Sequence, residues 1–424
     1  MKFIYKLLSL SLAIACLSGC SAANTEIASS SAATATVTPT TDSTEVPASN
    51  NVFTSAGDGL YVTTDSGIYE LQTVFPDSAN IFYTDANTKE RIFLCANPNC
   101  THADESCPSY IATPSAMFPP MLLRVGDQLL VVFTEATDSS NPHGMLMNMD
   151  GSNRRTVFEL ASNQYMQGGF CTSGNDLYFD LYEINDSGNV TYQLWYVSFE
   201  NGTSEKVMDL GSDSDHYSLC DGANNELCFN HVSSDGISYC MYNPQSKTIS
   251  DPFFVDSSVS GNSMIQDGYL FVLDEQASSV QRIRLSDKEQ ASASFTVKEG
   301  FGAPSMRYLF DGKLMITEAQ TTASDIPTDG SYGVCSYILD FGTRNCTEFT
   351  LQTPYNNRPV YVLTTIGDAC YVATDYKTYT PTSVSEDGTV SNFDYVANIY
   401  AFITKQDYIN SNQNGYSMVK DAFE

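Results

Sequence analysis

Seven times between Gly57 and Ala373 a short apolar strand opens from a polar turn: GDGLYV at Gly57, GDQLLVV at Gly126, GNDLYFD at Gly174, NNELCFN at Asn224, QDGYLFV at Gln266, FDGKLMI at Phe310 and GDACYVA at Gly367. A repeat of this kind limits the fold more than any other feature of the chain, because one unit cannot bury its apolar face alone and must stack on its own copies. Downstream of each lies a second signal, a strand, a tight polar turn and another strand: YTDANTKERIFL, MNMDGSNRRTVFEL, VSFENGTSEKVMDL, MYNPQSKTISDPFF, IRLSDKEQASASFTV, LDFGTRNCTEFTL and ITKQDYINSNQNGYSMV. The two series interleave at spacings of about 45 to 65 residues, the length of a four-stranded blade. With 26 Tyr, 23 Phe and 26 Gly and no long amphipathic helix, the class is all-β. The expected architecture is a seven-bladed β-propeller over residues 52–424.

The four strands a to d of a propeller blade alternate the face on which their connections lie. The c-to-d turns above are short, so the face they share is plain. Connections of the b-to-c and d-to-a kind lie opposite, and several are long: Asn97 to Pro119, Glu135 to Gly144, Glu318 to Tyr332 and Tyr376 to Tyr395. Long loops on a rigid scaffold are where binding usually resides. That face is the expected working surface, with His143, Tyr376 and Tyr379 as candidate ligand-contacting side chains.

Ahead of the repeats, MKFIYKLLSLSLAIACLSGC combines Lys2, Lys6, an apolar run from Leu7 to Leu17 and the sequence Leu17-Ser18-Gly19-Cys20. The apolar run is too short to span a bilayer permanently and reads as a secretory signal over residues 1–19. Its end is similar to the lipobox of bacterial lipoproteins, which implies acylation of Cys20 and cleavage before it. More than one buried acyl chain then gives stable anchoring, at about 0.8 kcal/mol per methylene. Residues 20–51, rich in Ser, Thr and Ala, carry too few large apolar side chains to offset the entropy of ordering them, and are expected to be a disordered tether.

Between the first and second repeats stands LCANPNCTHADESC, in which Cys95-x4-Cys100-x-His102-x4-Cys107 supplies three thiols and one of four histidines. Tetrahedral zinc is built from this ligand set, and four protein ligands leave no open position for a substrate, so the metal would be structural. An exported chain could instead pair Cys95 with Cys100 or Cys107 in a disulfide. Both readings clip a long loop that cannot pack itself, which is expected to connect blades one and two. Cys171, Cys220, Cys228, Cys240, Cys335, Cys346 and Cys370 sit in or beside strands as small apolar residues. Of these, Cys228 with Cys240 and Cys335 with Cys346 are the pairs to test for bonding.

Removing Lys2 and Lys6 with the signal leaves 18 basic residues against 50 acidic ones. Such a surface repels phosphate backbones, so nucleic acid is excluded as a partner. No G-x-S-x-G elbow, H-E-x-x-H, P-loop or dinucleotide fingerprint is present.

The lipobox, the tether, the irregular repeats and the pattern of Leu94, Cys95, Pro98, Cys100, His102 and Cys107 together resemble a group of poorly characterised β-propeller lipoproteins of anaerobic Gram-positive gut bacteria. The resemblance implies a lipid-anchored, extracytoplasmic protein at the cell membrane and no established activity. The residues themselves favour a non-enzymatic binding or scaffold module for an extracellular peptide, protein or glycan. The alternative is a polysaccharide-acting hydrolase or lyase using carboxylates at the propeller centre.

Overall fold

Alternation of apolar and polar residues along short strands produces largely antiparallel β-sheet divided into seven blades, of which the third and fourth run on into one ten-stranded sheet that also takes Thr54–Ser55 along residues 171–172. A computed structural model describes residues 53–421, apart from 56–58, 75–77, 114–118, 138, 257–261, 321–332, 380–381, 385–389 and 393–394. The expected signal at 1–19, Cys20 and the expected tether at 20–51 lie outside the described residues.

Blade 1 has Tyr61–Thr63, Gly67–Val74, Ser78–Asp85 and an outer strand in two pieces, Glu90–Phe93 and Tyr110–Ala112. Blade 2 has Met121–Val125, Gln128–Phe133, His143–Asn148 and Arg155–Glu159; blade 3 has Gln164–Ser173, Asp176–Ile184, Val190–Ser198 and Thr203–Ser212. Blade 4 has Asp215–Ala223, Glu226–Ser233 and Gly236–Asn243, with Thr248–Ile249 and Phe254–Asp256 sharing its outer edge. Blade 5 has Ser263–Gln266, Tyr269–Asp274, Ser279–Arg284 and Gln290–Ser294; blade 6 has Phe301–Tyr308, Leu314–Gln320, Val334–Asp340 and Asn345–Phe349. Blade 7 has Val362–Ile366, Ala369–Tyr379, Tyr395–Thr404 and Ser417–Met418.

Each strand exposes alternate residues to opposite faces of its blade, and both faces meet a neighbouring blade. Seven apolar clusters result, one for each junction. Leu130, Phe158, Phe170 and Phe179 fill the junction of blades 2 and 3. Phe271, Val280, Ile316 and Phe341 fill that of blades 5 and 6. The register explains why Cys228 and Cys240 do not bond: Cys228 faces Met241 and Cys240 faces Phe229, one position out of step. They therefore project from opposite faces, Cys240 toward blade 3 and Cys228 toward blade 5. Cys335 and Cys346 are likewise free, because Cys346 pairs with Leu339, four residues along the strand from Cys335.

The junction of blades 7 and 1 must join the two ends of the chain, and it is the least apolar of the seven. Ile68, Tyr371, Tyr400 and Phe402 form its small apolar cluster. Beside them Arg91 is buried between the rings of Phe82 and Tyr400. Its guanidinium donates to Glu70 Oε2 at 2.8 and 3.0 Å, to Gln72 at 2.8 Å and to Asp421 at 3.1 Å. Asp421 arrives on the last strand, Lys420–Asp421, which pairs in parallel with Glu90–Arg91. The strand Lys420–Asp421 thus clasps blade 1 after the chain leaves blade 7.

Two sequence expectations are corrected by these elements. Six of the seven opening signals are second strands of blades, but GDGLYV contains Tyr61–Thr63, the innermost strand of blade 1. The last c-to-d connection is not a tight turn; it holds a helix, Lys405–Ile409, capped by the Thr404 hydroxyl accepting from the Asp407 N–H. Its Tyr408 plugs the junction of blades 6 and 7.

Candidate metal centre and long-loop face

The Cys/His segment does not connect blade 1 to blade 2. Leu94 bonds to the Ile81 carbonyl, the Ile81 N–H bonds to the Ser109 carbonyl, and Tyr110–Ala112 resumes the same ladder along Ser78–Asn80. Residues 95–109 are therefore an excursion from the middle of the outer strand, at the rim of the propeller and away from the b-to-c and d-to-a loops. Spacing alone could not reveal this, because the strand returns after fifteen residues with only three more of its own.

Two tight turns fold the excursion on itself. Cys100 N–H bonds to the Asn97 carbonyl at 3.2 Å, and Cys107 N–H to the Asp104 carbonyl at 3.0 Å. Between them His102 takes a left-handed φ of 56°, which swings its ring back toward Cys107. Its Nδ1 lies 3.2 Å from Cys107 Sγ, and its ring stacks on Phe93 with centroids 3.9 Å apart. The ligand atoms of Cys95, Cys100, His102 and Cys107 all lie within 4.8 Å of one another. Zinc bonded at about 2.3 Å to sulfur and 2.0 to 2.1 Å to nitrogen sets tetrahedral ligand atoms about 3.5 to 3.8 Å apart. The donor set and its spacing fit that ion.

The surroundings favour a bound cation. Cys107 is buried, which raises its thiol pKa, but Ser109 and His102 hydrogen bonds outweigh this and bring it down to about 6. Burial pushes Cys95 up to about 11, so the bare cluster resists collecting three negative charges. A metal removes that resistance, since coordination deprotonates thiols. Ser109 is held in turn by Asn80 at 2.9 Å, an outer shell that fixes Cys107. Arg154, on the c-to-d turn of blade 2, donates to the Tyr110 carbonyl at 2.6 Å and to the Pro108 carbonyl. Gly151, at a φ of 78° on the same turn, allows this contact, since a Cβ there would run into Pro108. Three thiolates, one neutral imidazole and Zn²⁺ carry a net charge of −1, and Arg154 stands beside it with the opposite sign. The excursion thereby fastens the rim of blade 1 to blade 2.

The long-loop face carries a different kind of site. His143 pairs across strands with Phe133, their rings stacked at 4.4 Å, and its Nδ1 lies 2.7 Å from the Asn141 carbonyl. Tyr165 stacks on Tyr182 at 5.1 Å, Tyr192 on His216 at 3.9 Å, and Tyr217 on His231 at 4.3 Å. All lie at the ends of strands that meet the b-to-c and d-to-a connections of blades 2 to 4. Among them Glu183 Oε2 accepts from the Gln164 and Gln193 amides, each at 3.1 Å, while Trp195 Nε1–H fixes Gln193 at 2.9 Å. These ring pairs went unread in the sequence because they depend on register. The available signal was a ring at both ends of successive strands.

Tyr376 is half-buried and belongs to the long strand Ala369–Tyr379 of blade 7, not to a loop. Tyr379 ends that strand opposite Tyr395, and its side chain lies outside the described residues. Asp180, enclosed between blades 3 and 4, is pushed up to about 7 by burial, against the Leu219 N–H that bonds its Oδ2 at 3.1 Å. It is sealed beneath the inner strands and does not reach the long-loop face.

No protein-family model and no curated protein matches the chain. Similar solved structures include an oligogalacturonate lyase in complex with manganese, at 10% identity and a TM-score of 0.42, over 72% of this chain and 80% of that one. An oligogalacturonate lyase from Vibrio parahaemolyticus aligns at 10% identity and a TM-score of 0.38, over 82% and 91%. The tricorn protease aligns at 10% and 0.32, over 81% of this chain, which spans 35% of that protein's length. Likenesses this distant carry no activity to this chain.

Proposed function

We propose that the chain is a lipid-anchored protein of the extracytoplasmic face of the cell membrane that binds an extracellular glycan, peptide or protein on its long-loop face without transforming it. The observation that carries this reading is the set of stacked rings across blades 2 to 4, with Glu183 held among them by two amides. Aromatic rings fixed in place lose little entropy on contact and offer area to sugar C–H faces and apolar side chains. Positioned carboxylates and amides supply the polar contacts that fix a ligand's orientation. The rim excursion serves this scaffold by holding a structural zinc on Cys95, Cys100, His102 and Cys107. Acyl chains on Cys20 and the tether of residues 20–51 would keep the domain at the membrane while letting it reach outward.

The test is a glycan and peptide binding screen on the full chain, with turnover followed in the same wells. Ligands should be retained unchanged, and Tyr165→Ala or Tyr182→Ala should weaken retention. Product formation in any well would replace the binding reading with the enzymatic one.

A further inference from the structure

Blade 3 carries one unbroken row of paired residues across its long-loop end. Tyr165 stands opposite Tyr182, Tyr182 opposite Tyr192, Tyr192 opposite Gly211, and Gly211 opposite His216, the second residue of blade 4. Residues directly opposite share a face of the sheet, so four rings across five strands line one surface. From Tyr165 to Gly211 the row crosses three strand gaps, about 14 Å. Ring centroids along it are 5.1 Å apart for Tyr165 and Tyr182, 6.1 Å for Tyr182 and Tyr192, and 3.9 Å for Tyr192 and His216. Gly211, at a φ of 115°, closes the gap in the row: having no side chain, it lets the His216 ring lie on Tyr192, and a Cβ there would run into the Asp215 carbonyl.

Blade 4 supplies the facing wall. Tyr182, Tyr192 and Tyr217 belong to one apolar cluster between blades 3 and 4, and Tyr217 stacks on His231 at 4.3 Å. His231 Nε2 lies 2.7 Å from Asp215 Oδ1. The three turns that border the mouth of this junction each add an exposed aspartate: Asp186 between the strands of Tyr182 and Tyr192, Asp213 between those of Gly211 and His216, and Asp235 just beyond the strand of His231. Blades 3 and 4, residues 164–256, hold 14 acidic residues and two basic ones, Lys206 and Lys247. Lys206 is tied to Asp209 at 3.1 Å, and Lys247 sits on a c-to-d turn at the opposite face, so neither answers the aspartates at the mouth.

We propose that the mouth of the junction between blades 3 and 4 binds a basic peptide, whose lysine or arginine side chains lie against the ring row. Their aliphatic stems cover the rings, and their charged heads meet Asp186, Asp213 and Asp235. Charge selects the occupant: an anionic chain would meet a carboxylate on each of three turns, and a neutral one would gain nothing from them. Within each stacked pair the rings cover one another's faces, so they turn edges and hydroxyls outward, which suit a slender side chain better than the flat face of a sugar. The inference rests on the reading of the long-loop face as the binding surface, and narrows it to one ligand class.

The probe is a hexapeptide of alternating lysine and alanine, titrated by calorimetry into the full chain. Its comparisons are the same peptide with acetylated lysines, the same with glutamate for lysine, and an unacetylated glucosamine tetramer. The lysine peptide should bind about tenfold more tightly than the acetylated one, since three exposed charge pairs together are worth about that much, and the margin should shrink as salt is raised. The glutamate peptide should not bind. The triple variant Asp186→Asn, Asp213→Asn, Asp235→Asn should remove the margin while leaving the acetylated peptide unchanged, and Tyr182→Ala should weaken both peptides. All three aspartates are exposed on turns, so the variant should keep its circular dichroism spectrum. A second triple variant at the opposite face, Asp127→Asn, Glu200→Gln, Asp368→Asn, removes the same charge from exposed turns and should leave binding as it was. Equal affinity for the lysine and acetyl-lysine peptides, an equal loss in both triple variants, glucosamine binding as tight as the lysine peptide, or no binding of any probe would each overturn the inference. If it falls while the wider screen yields ligands sensitive to Tyr165 or Tyr182, the binding face stands without it. A blank screen would remove both.

Discussion

Replacing Arg91 with Met should open the ring at the junction of blades 7 and 1. The Arg91 side chain is 4% exposed and that of Glu70 7%, so neither charge has water to fall back on. Arg91→Met removes four hydrogen bonds and leaves Glu70 with the Tyr400 hydroxyl at 2.5 Å as its named polar partner. The Asp421 anchor of the C-terminal strand goes with them. Breaking a buried pair from one side costs about 3 to 5 kcal/mol, mostly through the charge left behind. Methionine fills the slot between Phe82 and Tyr400, so the loss is electrostatic and not a cavity. The double variant Arg91→Met with Glu70→Gln, which removes the stranded charge, should therefore cost less than Arg91→Met alone. Urea unfolding gives the magnitude, and hydrogen exchange of Glu90–Phe93 and Tyr395–Thr404 shows whether the ring opens at this junction. A loss under about 1 kcal/mol, or a double variant worse than the single one, would refute the reasoning.

Two further outcomes are expected. Asp180 has a folded pKa raised from 3.8 to about 7, so the folded state holds its proton more tightly than the unfolded chain. Its contribution is complete below about pH 4 and is lost as pH rises toward 7, with a total on the order of a few kcal/mol. Asp180→Asn should match the native protein below about pH 4 and exceed it in urea midpoint at pH 8; a variant less stable at pH 8 would contradict the buried-carboxyl account. Cys20→Ala should be released into the medium or left unprocessed when cell fractions are blotted, whereas membrane retention of a correctly cleaved form would end the lipoprotein reading.

The blades were legible because each carries its strand signals within one stretch of chain: GDQLLVV and MNMDGSNRRTVFEL together write three of the four strands of blade 2. Buried thiols such as Cys171 and Cys228 were legible for the same reason, since strand alternation already sets them facing a neighbouring blade. What the sequence concealed involves partners distant in the chain. Nothing local joins Arg91 to Asp421, or marks Tyr110–Ala112 as the return of a strand that left at Leu94. The histidines illustrate the boundary. His102 was readable beside three cysteines, but His143, His216 and His231 acquire their ring partners only once strands pair in register. The row from Tyr165 to His216 needs five strands in register, and no spacing within any one of them announces it.

The rim excursion is the feature on which sequence and geometry bear most closely, and its metal content is directly measurable. Protein purified under reducing conditions and analysed by inductively coupled plasma mass spectrometry should hold about one zinc per chain. His102→Ala should lower that figure, because water in place of the imidazole weakens the site. Near-zero zinc in the native protein, with His102→Ala silent and a reductant loosening residues 95–109 to proteases, would show that a disulfide closes the excursion and would contradict the account.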